Sequence, residues 1–287
     1  MKNRDLLNRR FVENGVLIAA HQGFGGGNIV LNTPNAMLNA INCGAEIVEL
    51  DISRSKDGDF FIFHQDLEPR HLMVNKKMDE MSTDEIKELY LWNNACTPSA
   101  FHVPTLTEMM NILKTEEVLV NIDKFDLLGK DLLDELDMYG MEDKILLKGK
   151  AQKPLLDTVA AHGRDYMFMP VVFSKEDIEY ALSYPDIDIV GFEVIFSDLK
   201  QDHIQSDYLM ELRAKGYFLW VNAITLGKDF CLSADIDDDL SMLDNPDKGW
   251  GRLIDMGFNV IQTDWTLMLK NYLMKKELSS PLENSIV

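Results

Sequence analysis

Eight short apolar runs, nearly all followed by a stretch of helical periodicity, constrain this chain more than any other feature. The runs lie at 15–20, 46–52, 118–122, 144–147, 167–172, 187–192, 217–221 and 259–262. Amphipathic stretches at 34–42, 127–139, 154–161, 175–183 and 207–215 separate most of them. Alternation of this kind argues a parallel sheet with helices outside. Eight strands suit a closed α/β barrel, (β/α)8, better than an open sheet. The length of 287 residues alone would suggest two domains, but such barrels reach this size as one. One domain over 1–287 is therefore expected.

A ninth run, 60–63, breaks the alternation. Asp57-Gly58 precedes it, a strong hairpin signal, so the second strand is read as extending into a β-hairpin. A turn centred between those two residues sets His64 opposite Asp51. Residues 65–115 are long for one crossover and are read as an inserted subregion. Within them Ser82, with Glu85 three residues on, marks a helix start. A second insertion spans 226–250, where Asp237–Asp239 reads as a solvated turn, a further cation ligand being the alternative.

Barrel enzymes carry their chemistry at the C-terminal strand ends. Here those ends hold His21, Glu49 and Asp51, Asp123, Lys148, Glu193, Trp220 with Asn222, and Asp264. Glu49 and Asp51 are two apart on a strand and so point the same way. Two carboxylates facing inward repel unless a cation lies between them. Oxygen donors suit a hard ion, Mg²⁺ or Ca²⁺, with Asp123 as a third ligand. The other reading of these acids is that they are solvated or paired with Lys or Arg. His21 and His64 are two of six histidines, and both fall beside the acid pair. Two imidazoles flanking a phosphate can divide the general-base and general-acid roles.

Gly23-Phe24-Gly25-Gly26-Gly27-Asn28 fails the dinucleotide fingerprint, because Asn28 stands at the third glycine place. A loop over the site is the better reading. The segment from Asp51 to His64 resembles a calcium-binding loop only superficially.

The formal net charge of -20 repels polyphosphate backbones, so no nucleic-acid partner is expected. An anionic substrate would need a local cation to reverse that field. Three cysteines without CxxC spacing read as free thiols in a reducing compartment. The start lacks an apolar signal region, and no run approaches the ~20 residues of a membrane span. A cytoplasmic protein without stable membrane insertion is expected, a mature secreted chain being the alternative.

Taken in order, the motifs resemble those of the glycerophosphodiester phosphodiesterase family, over about residues 17–269. An HRG motif is matched by His21-Gln22-Gly23, and a PENT motif by Leu31-Asn32-Thr33. Glu49-Leu50-Asp51 matches E-x-D, Lys56-Asp57-Gly58 matches KDG, and His64-Gln65-Asp66 matches H-x-D. Pro104-Thr105-Leu106-Thr107-Glu108 and Thr263-Asp264 match the later motifs.

The resemblance implies a TIM barrel that hydrolyses glycerophosphodiesters to an alcohol and glycerol 3-phosphate. It implies one divalent cation on Glu49, Asp51 and Asp123, and His21 and His64 as the acid–base pair. The substrate is then a small-molecule phosphodiester; oligomeric state is not addressed. The chain departs from the pattern where Gln22 replaces an arginine, Leu31 a glutamate and Phe125 a lysine. Strand alternation would turn Lys124 to the opposite face, which leaves Lys148 as the phosphate-binding cation. Gln22, Lys148, Glu193, Trp220, Asn222 and Trp265 are the expected substrate-binding residues, the two tryptophans either packing on the alcohol or head group or only filling the barrel rim. Two rival readings are a phospholipase C-like or D-like lyase that leaves a cyclic phosphate, and a non-catalytic barrel that binds a phosphorylated ligand.

Overall fold

The computed structural model describes residues 4–227 and 230–276. Eight strand positions follow one another in parallel around a closed barrel. They are Leu17–Ala20, Ile47–Leu50, Leu119–Ile122, Ile145–Lys150, Met167–Val172, Asp188–Ile189 continued by Gly191–Val194, Phe218–Asn222 and Val260–Thr263. The ring closes where Leu17 to Ala20 pair in register with Val260 to Thr263. The expected (β/α)8 architecture is present, with strand ends within three residues of those read from the sequence.

The barrel is filled, not hollow. Leu17, Ala19, Ile47, Leu119, Leu146, Met167, Met169, Val190, Phe218, Trp220 and Val260 form its interior. Stacked layers of branched and bulky side chains are the usual filling of such barrels. The helix Asp5–Asn14, which the sequence reading did not identify, adds Leu6 and Leu7 to that cluster. Phe11 of the same helix stands edge-on to Phe218 at 5.2 Å. Outward-facing strand residues pack on the helices in a larger shell that includes Ile18, Val48, Val120, Leu133, Leu156 and Leu209.

Local chemistry sets where the helices begin. Thr33 caps Pro34–Asn42, with proline at the first turn, where its missing N–H costs nothing. Thr105 and Glu108 form a reciprocal capping box for Leu106–Leu113. Ser82 and Glu85 do the same for Thr83–Lys87, as the sequence led one to expect. The helix Leu106–Leu113 packs on the main shell through Leu106, Met109, Met110 and Leu113. It is therefore the outer helix of the second βα unit. Only the preceding elements, with their own small core around Phe61, Met78, Ile86 and Leu91, stand apart. A hairpin of Tyr90–Trp92 with Pro98–His102 completes them.

The hairpin after the second strand differs from expectation by one residue. Ile52 pairs with Ile62 and Arg54 with Phe60, and the Phe63 amide donates to the Asp51 carbonyl. Phe63, not His64, therefore opposes Asp51. The turn has three residues, Lys56, Asp57 and Gly58, and closes with Gly58 at φ +102°, a conformation glycine adopts freely. A three-residue loop centres on Asp57 and shifts the register. His64 lies one residue past the pairing and still reaches the barrel mouth.

Candidate functional site

Two cavities meet at the C-terminal mouth of the barrel, and His21 and His64 line both. The first, about 420 Å³, is bounded by the glycine-rich loop (Gly25, Gly26, Gly27), by Leu31 and Asn32, and by Leu91 and Asn93 of the inserted elements. The second, about 350 Å³, has Glu49, Asp51, Asp123, Lys148 and Glu193 on its polar side.

The two histidines carry opposite hydrogen-bonding assignments. His21 Nδ1 lies 2.8 Å from Asp264 Oδ1, and its Nε2 lies 3.9 Å from Glu49 Oε2. Burial alone would depress this imidazole. The Asp264 hydrogen bond and the charges of Glu49, Asp264 and Asp51 outweigh it and raise its pKa to about 9. His21 is therefore an imidazolium at neutral pH. His64 Nε2 lies 2.7 Å from the Lys124 ammonium, which has only protons to offer, so that nitrogen accepts. His64 Nδ1 then donates to the Gln65 carbonyl at 2.6 Å.

Lys124 was expected on the far side of its strand. The strand ends at Ile122, and Lys124 adopts a left-handed conformation at φ +49°. That turn brings its ammonium back to the site, 3.6 Å from Asp123 and 4.0 Å from Asp51. No sequence pattern announces a left-handed lysine; this part of the site was not legible in advance.

Lys148 sits lower, almost wholly buried. Its ammonium lies 3.0 Å from Glu49, 3.3 Å from Asp123 and 3.3 Å from Glu193. The Trp220 ring lies 4.7 Å beneath it. Burial would lower the lysine pKa, but those three carboxylates raise it well above its ordinary value. The same ammonium helps hold Glu49 below the usual carboxylate range, against its burial. Glu193 is pushed up by burial despite Lys148, and accepts from Asn222 Nδ2 at 2.5 Å.

Asp51 is held from the other side. Gln22 Nε2 and Asn32 Nδ2 both donate to its Oδ2, at 2.6 and 2.8 Å. Gln22 and Asn32 each sit at φ +57°, so two left-handed residues are fixed around one carboxylate oxygen. Burial, then the charges of Glu49 and Asp123, push the Asp51 carboxyl above its ordinary value.

The expected cation set therefore has two aspects. Its chemistry fits a hard divalent ion: the donors are carboxylate oxygens, and at Asp51 the negative neighbours outweigh the positive ones. Its arrangement is that of carboxylates already bridged by an ammonium. Among the described residues, no three Asp, Glu, His or Cys side chains gather as a ligand group.

Trp220 and Trp265 line neither cavity. Trp220 is a fully buried floor, its Nε1 donating to Asn222 Oδ1 at 2.9 Å and Gln262 Oε1 at 3.2 Å. Trp265 is the half-exposed residue that precedes the last helix, Thr266–Lys275. Trp220 is not in position to pack on an alcohol, because the seventh strand turns it into the barrel interior.

Asp238, read from the sequence as part of a solvated turn, is 1% exposed. Its Oδ1 accepts from Trp250 Nε1 and Thr263 Oγ1, both at 2.7 Å, and its Oδ2 from the Asp264 amide at 2.9 Å. Asp264 in turn orients His21, so the insertion supplies a buttress for the catalytic candidate. Close packing fixes this loop: a side chain at Gly249 would meet Ser241 Oγ at 1.9 Å. Burial pushes the Asp238 pKa to about 7, from an ordinary 3.8, and the Asp264 charge adds to that rise. A carboxyl that binds its proton more tightly when folded stabilises the fold fully below the unfolded value. That contribution is lost as pH rises through the folded one. The stability of the wild type relative to Asp238→Asn should therefore fall from about pH 4 to about pH 7 and then level off. Paired thermal-unfolding scans across that range check it; a difference flat with pH would assign Asp238 an ordinary pKa.

The description "glycerophosphoryl diester phosphodiesterase family" belongs to the family model that matches residues 21–155. A second model, described as a domain of unknown function, matches residues 168–273. A glycerophosphodiester phosphodiesterase of Caldanaerobacter subterraneus is 25% identical over 138 residues, covering 46% of this chain and 56% of that protein. The chain thus spans about half the length of the curated relatives it matches. A crystal structure of a glycerophosphoryl diester phosphodiesterase from Parabacteroides distasonis superposes with a TM-score of 0.79 at 15% identity, covering 99% of this chain and 95% of that one. A phosphodiesterase from Oleispira antarctica, in complex with the product sn-glycerol-3-phosphate, superposes with a TM-score of 0.63 at 16% identity, covering 92% and 99%.

Proposed function

We propose, from the premise that this chain is a divergent member of the glycerophosphoryl diester phosphodiesterase family, that it hydrolyses a glycerophosphodiester to glycerol 3-phosphate and an alcohol. The observation that carries the reading is the pair of imidazoles at the junction of two cavities, one held protonated by Asp264 and one left as an acceptor.

In this reading the phosphate sits between His21 and His64, with one ester arm in each cavity. His64 Nε2 takes a proton from the attacking water, whose oxygen bonds to phosphorus. Lys124, which otherwise donates to that nitrogen, turns to the phosphate oxygens. The bond from phosphorus to the alcohol oxygen breaks, and His21 delivers its proton to that oxygen. Asp264 keeps the His21 ring oriented throughout. Glu49, Asp51 and Asp123 would hold a divalent cation, Mg²⁺ or Ca²⁺, and such an ion offsets charge developing on the phosphate. Lys148 lies too deep to grip phosphate directly; it sets the charge of Glu49, Asp123 and Glu193 around it. Gln22, in place of arginine, is committed to Asp51, so the exposed cations facing substrate are Lys124, beside His64, and Lys150, farther along the second cavity.

The test is turnover of a panel of glycerophosphodiesters, with Mg²⁺ or Ca²⁺ and with chelator. Release of glycerol 3-phosphate, lost on chelation and restored by the ion, is expected. Undiminished turnover in chelator would remove the metal and leave Lys124 and His21 to balance the charge. A stable cyclic phosphate product would assign the lyase chemistry instead. Among the described residues no helix is long and apolar enough to cross a membrane.

A further inference from the structure

Resting on the phosphodiester reading, we propose that His71 determines specificity: its Nε2 accepts a hydrogen bond from a hydroxyl of the leaving alcohol, and the preferred substrate carries a neutral, polyhydroxylated headgroup in the first cavity. His71 ends the short helix Glu68–His71 of the inserted subregion and lines that cavity. The helix is held in place: buried Glu68 accepts from the Met78 amide at 3.0 Å, and Leu72 belongs to the small core. His71 Nδ1 lies 3.3 Å from the Trp92 carbonyl, which can only accept, so Nδ1 carries the proton and Nε2 the lone pair. Burial lowers the pKa of this imidazole and outweighs the Trp92 bond, and the Arg70 charge adds to the fall. The ring is therefore neutral, and Nε2 an acceptor, at neutral pH. Among the described residues that nitrogen has no hydrogen-bond partner.

Other amides around the cavity are committed elsewhere. Gln22 and Asn32 donate to Asp51. Asn93 donates to Asn28 of the glycine-rich loop at 2.8 Å, and its Oδ1 accepts from the Ala95 amide and from Thr97. The cavity is also close to electrically neutral. Among its described lining residues the one acid is Asp264, bonded to the His21 imidazolium at 2.8 Å. A quaternary ammonium would seek an unpaired carboxylate or open aromatic faces. Phe63, in the lining, is only 4% exposed. A primary ammonium would meet the same lack of counter-charge, with an imidazolium beside it. A hydroxyl needs only a neutral acceptor, which His71 supplies. The second cavity has the exposed cations Lys124 and Lys150, which suit the phosphate that stays on glycerol. The departing alcohol, which bears no phosphate, is left to the first. Loops at this face are where barrels set specificity, and His71 stands on one of them.

The experiment measures kcat/KM for glycerophosphoglycerol, glycerophosphoethanolamine and glycerophosphocholine in the wild type and two variants. The wild type should favour glycerophosphoglycerol over each of the others by roughly 3–10-fold, the contribution of one neutral hydrogen bond. His71→Asn keeps a donor for the Trp92 carbonyl at the place of Nδ1 but has nothing at the place of Nε2, so the preference should fall toward one. His71→Gln brings an amide oxygen to the place of Nε2 and should retain part of the preference. Thermal unfolding reports whether each variant folds, and the wild-type ratios decide the headgroup even where one does not. A wild-type preference for either cationic headgroup, or no preference, overturns the proposal while hydrolysis stands. So do ratios that His71→Asn leaves unmoved, and a loss shared equally by all three diesters, which would make the His71–Trp92 bond structural. No turnover of any of the three sinks the phosphodiesterase reading itself, and this inference with it.

Discussion

Replacing Lys148 by methionine should destabilise the fold by about 3–5 kcal/mol, the usual cost of removing one partner from a buried ionic cluster. The ammonium is 2% exposed and touches Glu49, Asp123 and Glu193 within 3.3 Å. Methionine replaces the apolar stem of the lysine but leaves those carboxylates facing one another without compensation. In a barrel of this size the loss amounts to roughly 10 °C in the thermal midpoint. Adding Glu193→Gln removes one of the stranded charges and should restore part of it, a coupling that a double-mutant cycle measures directly. The freed carboxylates also give the metal proposal a readout independent of turnover. Added Mg²⁺ or Ca²⁺ should raise the midpoint of Lys148→Met more than that of the wild type, because the ion replaces the missing positive charge. A variant as stable as the wild type would mean that the three acids share protons, not the lysine, and the charge balance of the site would need rebuilding.

Much of this arrangement was legible because it rests on short-range rules. Alternation of period-two and period-3.6 stretches dictates a barrel, and the barrel dictates that strand ends converge. His21, Glu49, Asp51, Asp123, Lys148, Glu193 and Asn222 stand out as the polar residues at or just beyond the ends of apolar runs, and all of them line the second cavity. The features hidden from the sequence depend on single backbone angles and on distant packing. Lys124 reaches the site through one left-handed residue, which strand alternation cannot foresee. Asp238 looks like any acid in a run of aspartates until Trp250, Thr263 and the Asp264 amide enclose it. Trp220 shares its inward face with Asn222 but lies two residues below the strand's end, so it fills the barrel where Asn222 reaches the cavity. The role expected of a phosphate-binding lysine moves for the same reason. Lys148 is on the right strand at the wrong depth, and the exposed ammonium belongs to a neighbour that alternation had turned away.

His21→Ala should lower kcat/KM for a glycerophosphodiester by at least ~10²-fold, within the ~10²–10⁴ that a positioned acid or base contributes. The loss should fall on kcat more than on KM, since a proton delivered to the departing alcohol acts in the transition state and not in binding. The fold should be kept but with a lower thermal midpoint, because a positive charge leaves the side of the buried Glu49. The Asp264 side chain freed by the change is already 40% exposed, and its amide remains fixed by Asp238. His64→Ala should cost a comparable factor by removing the acceptor for the water proton. The double variant should then be no worse than about the poorer single one, because a base and an acid that act in one transition state do not contribute independently. Steady-state rates for the two single variants and the double, each with an intact thermal transition, separate the possibilities. Multiplicative losses would mean that the imidazoles serve different steps. An unchanged rate in His21→Ala would mean that the Asp264–His21 pair is structural, and the reaction centre would have to be sought at Lys124 and His64 alone.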